Sequence, residues 1–128
     1  MNSRREGWDE WQPNENRTRN APITQTDVEA NILALTKQLD EETTAYETLT
    51  VDHAEKEADY KKAWFTEYLS AQGAVKERES MAGYKNADLY REAQIAEALM
   101  KAKRERLRAI CTSLDSLRTI AANVRAQT

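Results

Sequence analysis

Residues 89–124 read LYREAQIAEALMKAKRERLRAICTSLDSLRTIAANV, and the spacing of their apolar side chains decides the fold. Leu89, Ala93, Ala96, Met100, Leu107, Ile110, Leu114, Leu117, Ala121 and Val124 recur in alternating steps of three and four, with Lys103 the one interruption. Such steps straddle the 3.6-residue helical turn and gather the side chains on one narrow stripe. The spacing therefore predicts a long helix beginning near Asp88, with a seam of the width that coiled coils bury.

Upstream the same steps return at Val28, Ile32, Leu35, Leu39, Tyr46, Leu49, His53 and Tyr60, with Glu42 and Lys56 on seam positions where an apolar residue would be stronger. Thr26 or Asp27 offers an N-cap, and Glu29 suits the positive end of the helix dipole. This stripe thickens at Ala63-Trp64-Phe65 and Tyr68-Leu69. Gly73 is a soft spot, costing about 1 kcal/mol relative to alanine. Gly83, within Met81–Asn86, is the better turn residue, because Gly and Asn tolerate left-handed backbone angles. The reading is an all-α fold: a long antiparallel helical hairpin over 27–128, coiled-coil-like, turning near 80–87. Residues 1–26 hold both prolines and no helical period, and are read as a flexible, disordered or loosely packed tail. The pair Trp8 and Trp11 in that tail either packs on the helices or forms a short docking motif for a partner.

At 128 residues the chain suits one domain. Charged residues make up 32% and aromatics 7%, a balance that long helices use. A mean hydropathy of −0.86 leaves too little apolar surface for a thick core, so two diluted stripes need a further partner and a homo-oligomer is expected. The single cysteine, Cys111, excludes an internal disulfide framework and is expected to be a buried small hydrophobe in the seam. The first residues lack the apolar run of a signal peptide, and no run of 18 apolar residues is present, so no membrane association and a cytoplasmic location are expected by elimination.

The net charge of −3 hides an asymmetry. Residues 27–59 carry ten acidic and two basic side chains, whereas 101–128 carry seven basic and two acidic ones. Two readings stand side by side. The acidic arm neutralises the basic arm, or the cluster Lys101, Lys103, Arg104, Arg106 and Arg108 is aimed at nucleic-acid phosphate. Lys61, Lys62, Lys76 and Arg78 flank Trp64, Phe65 and Tyr68, and cations interleaved with aromatics can serve as platforms for unstacked bases, although helix aromatics are more often core. Catalysis is not expected. His53, the only histidine, lies on the seam, Cys111 has no second histidine to activate it, and there is no phosphate loop, metal-ligand spacing or nucleophile elbow. No cofactor is implied.

The stretch from Asp59 to Gln127 combines the basic-aromatic Asp59-Tyr-Lys-Lys-Ala-Trp-Phe-Thr-Glu-Tyr-Leu69, then Gly73-Ala-Val-Lys-Glu-Arg-Glu79, a short connection, and a Lys/Arg-dense helix ending Leu114-Asp-Ser-Leu-Arg-Thr-Ile-Ala-Ala-Asn-Val-Arg-Ala-Gln127. In pattern it resembles the phage recombination-mediator family, the UvsY-type proteins, over a little more than half the chain. The resemblance implies a ring-like helical oligomer that binds single-stranded DNA and helps load a recombinase onto strands covered by single-strand-binding protein, in the host cytoplasm. It assigns the family's Lys-x-Arg DNA contact to Lys76 and Arg78. The short turn, the acidic first arm and the extra tail depart from the family. The rival expectation is a coiled-coil scaffold or adaptor of the phage-assembly type, without a nucleic-acid role. What separates the two is whether Lys101–Arg108 is paired with acids or displayed on an open face.

Overall fold

The computed structural model describes residues 22–127. Among them lie three helices and no strand: α1 (Gln25–Ser70), α2 (Val75–Lys85) and α3 (Ala87–Ala126). At 1.5 Å per residue α1 is about 69 Å long and α3 about 60 Å.

Helix α1 is capped by Thr24, two residues ahead of Thr26 and three ahead of Asp27. Thr24 is extended, its hydroxyl accepts from the Asp27 N–H at 3.1 Å, and the Asp27 carboxylate accepts from the Thr24 N–H at 3.3 Å. Two orphan donors of the first turn are thereby satisfied reciprocally. Thr24 and Thr26 both have an acid three residues on, and the chain uses the earlier pair.

The chain reverses over Ala71–Ala74, not near 80–87 as Gly83 suggested. Gly73 has φ +115°, a left-handed conformation that side-chain-bearing residues rarely adopt. Gly83 instead lies inside α2 with helical neighbours on both sides. The reversal is fixed by long-range pairs: Lys85 Nζ lies 2.8 Å from Glu67, and Arg78 reaches the Tyr68 carbonyl. Asn86 then joins α2 to α3 without a true break. Its N–H donates to the Ala82 carbonyl at 3.2 Å, and its own carbonyl accepts from the Tyr90 N–H at 3.0 Å. Its buried side-chain amide also donates to Ala82, at 2.9 Å, and its ψ of 19° bends the path. The second arm is thus a bent helix made of α2 and α3.

The arms run antiparallel, as the succession Glu67–Lys85, Tyr60–Tyr90, His53–Glu97 and Glu42–Lys103 demonstrates. The buried apolar residues are Val28, Ala82, Ala93, Ala96, Ile110, Leu114 and Ala121. Four of the seven are alanine, which lets the helices approach closely but withdraws little apolar area from water. Cys111 is exposed, against expectation. It follows Ile110 by one residue, about 100° around the helix, and so leaves the seam.

Candidate nucleic-acid interface

The basic run on α3 is drawn back onto carboxylates. Lys103 Nζ sits 2.6 Å from one oxygen of Glu42 and Arg106 Nε 3.3 Å from the other. Lys101 pairs with Glu97 at 2.6 Å and Arg108 with Glu105 at 2.7 Å. Arg104 is half-buried, with its Nε enclosed and lacking a hydrogen-bond partner. Glu42 and Lys103 are the two charges that interrupt the seams of their arms, and they meet across the interface. The hydrogen bond from Lys103, helped by the charges of Lys103 and Arg106, holds the Glu42 carboxyl below its ordinary range against the opposing effect of burial.

Midway along the hairpin, His53 Nε2 lies 3.4 Å from Glu57 on its own helix and 3.7 Å from Glu97 on α3. Both carboxyls are held low, Glu57 chiefly by a hydrogen bond from Lys61 and Glu97 chiefly by one from Lys101, with His53 adding a smaller attraction to each. Lys61, expected on phosphate, therefore spends its charge on Glu57 at 2.9 Å.

At the reversal, Arg78 donates from Nε and Nη2 to the Tyr68 carbonyl at 3.1 and 3.0 Å, and its guanidinium lies 4.4 Å from the centroid of the Tyr68 ring. Tyr68 is in the last turn of α1, where carbonyls lack intrahelical partners, so Arg78 caps that helix. Trp64 stacks on Tyr68 at 5.3 Å, and Phe65 meets Trp64 edge-on at 5.1 Å. Two of the three aromatic faces expected as base platforms are thus half-buried and engaged, while Phe65 is exposed.

Of the expected phosphate ligands, Lys62 and Lys76 are exposed and make no ion pair among the described residues. They do not share a patch with the α3 run, which lies along the arms and not at the reversal. Lys76 borders a shallow depression of about 650 Å³ on the outer side of α2, with Ala74, Glu77, Ser80, Met81 and Tyr84. Trp8 and Trp11 lie outside the described residues. Among those described, no helix is long and apolar enough to cross a membrane.

Sequence reasoning missed the role of Glu42. The available signal was a pair of opposite charges, one interrupting each seam, at positions that an antiparallel register brings together.

What the fold and these contacts define is a helical hairpin held by a thin small-residue seam and by ion pairs across it. Compared with protein-family models, curated proteins and solved structures, the chain matches none of them.

Proposed function

We propose that this protein is a non-enzymatic scaffold or adaptor that works by assembling through its helix faces, with self-association as the first step. The observation that supports this reading is a contrast in where charge and apolar surface lie. Four of the five basic residues of the cluster pair with Glu42, Glu97 and Glu105, whereas Leu33, Val51, Phe65, Leu69, Val75, Met81, Tyr84, Ile95 and Leu99 remain exposed. Releasing Lys103 and Arg106 to phosphate would leave Glu42 unpaired between the arms, which opposes nucleic-acid binding. Exposed apolar side chains that adjoin on one face mark interaction surfaces, and Val51, Phe65 and Leu69 share one face of α1.

A second reading, the single-stranded-DNA mediator that the family resemblance implies, rests on Lys62 and Lys76, which make no ion pair among the described residues, and on the exposed Phe65. Anisotropy of labelled single-stranded DNA at low and moderate salt separates the two. The scaffold reading expects no saturable binding at moderate salt. Salt-sensitive binding that prefers single strands and is lost in Lys62→Ala with Lys76→Ala would favour the mediator. Arg78→Ala is a poor probe, because it also removes the cap of α1.

A further inference from the structure

Helix α1 carries a second apolar stripe on the face turned away from α3. Val51, Ala54, Ala58, Phe65 and Leu69 are all exposed, and their separations of three, four, seven and four keep them on one line for roughly 27 Å of helix. Lys62 lies on the same line, without an ion pair among the described residues. Glu55, one residue beyond Ala54, has no ion pair there either.

We propose that this outer stripe is a self-complementary interface on which α1 of a second copy of the chain packs antiparallel, about a two-fold axis beside Ala58. The inference rests on the self-association proposed above and specifies its surface. Three observations select a second copy as the occupant. An axis at Ala58 sets Phe65 of each copy over the partner's Val51, so the bulkiest apolar group meets a short one at both ends. A depression of about 440 Å³, lined by Glu47, Thr48, Val51, Asp52 and Glu55, lies at that position. Thr48, Val51, Asp52 and Glu55 have the i, i+3, i+4, i+7 spacing of a hole that receives a knob from a facing helix. Finally, the same register brings Lys62 alongside the partner's Glu55, so each uncommitted cation meets an uncommitted acid twice by symmetry. Ala54 and Ala58 at the centre allow the backbones to approach closely, and the edge contact with Trp64 holds the Phe65 ring in place.

The test is sedimentation equilibrium of the full chain and of Phe65→Glu, with helicity followed by circular dichroism. The expected result is a dimer whose dissociation midpoint rises at least tenfold in Phe65→Glu, with helicity per residue unchanged. In a Cys111→Ser background, Ala58→Cys should give an oxidised covalent dimer, while Leu33→Cys, also at an exposed position of α1, should not. An unchanged midpoint in Phe65→Glu together with no cross-link at position 58 overturns this interface while leaving self-association standing. A wild-type chain that is monomeric at every concentration overturns both.

Discussion

Helices α1 and α3 have similar lengths and pack against each other, yet they handle apolar residues differently. Helix α3 buries Ala93, Ala96, Ile110, Leu114 and Ala121 on a single line, whereas α1 fully buries only Val28. Its remaining seam residues, such as Leu39, Tyr46, Leu49 and His53, are half-buried, and further large side chains point outward at Leu33, Val51, Phe65 and Leu69. Helix α3 leaves Tyr90, Ile95 and Leu99 exposed near its N-terminal end but gathers its buried apolar groups on one stripe, whereas α1 fully buries one apolar residue and exposes others along most of its length. The seam of α3 thus makes the hairpin, while the outer face of α1 is the surface on which the proposed assembly rests.

The contrast is broken most strongly at the core of α3. Leu114 is 3% exposed and Leu33 is 72% exposed. Leu114→Ala should cost about 2–5 kcal/mol by chemical denaturation, and Leu33→Ala less than about 0.5 kcal/mol. Similar costs at both sites would mean that the two helices do not differ in this way.

Next come the two glycines. Gly73→Ala forces a side chain into the left-handed region and against the Glu77 carboxylate, and should destabilise by about 1–3 kcal/mol. Gly83→Ala meets nothing within 4 Å in a helix and should stabilise by about 0.5–1 kcal/mol. Opposite signs in thermal melts would locate the reversal at Gly73, and equal signs would argue against it.

The smallest effect is electrostatic. The Glu42 carboxyl is held below its ordinary value of 4.5, so its pairing with Lys103 and Arg106 contributes fully above that pH and is lost as the pH falls through the lower folded-state value. Glu42→Gln should therefore lower the urea midpoint at neutral pH and flatten its decline on acidification below about pH 4.5. A decline as steep as that of the wild type would assign the acid sensitivity to other carboxylates.

The seam of α3 was fully legible in the sequence. Each position from Leu89 to Val124 on the three–four pattern is buried or half-buried, Lys103 included. Periodicity reports such a seam well, because one face against one partner imposes one period. The reversal was misread because a glycine in sequence does not reveal its φ, and the Met81–Asn86 segment has the composition of a turn while continuing as helix through Asn86. Cys111 was misplaced by proximity to Ile110, although one residue turns the chain off the seam. Charge composition revealed the acidic and basic arms and offered their pairing as one reading, but not which residues meet, since that depends on register. Once the antiparallel register is known, Glu42 against Lys103 follows. The outer stripe of α1 was misread: Phe65 and Leu69 were counted with the inner seam, whereas both are exposed, because each follows a half-buried aromatic by one residue and so turns about 100° off the seam.

The most direct test of assembly without nucleic acid is sedimentation velocity of the full chain over a concentration series at moderate salt, with labelled single-stranded DNA present. The account predicts that the protein sediments as a concentration-dependent dimer or larger species while the DNA sediments alone. A protein that remains monomeric at all concentrations and carries the DNA with it would contradict the account.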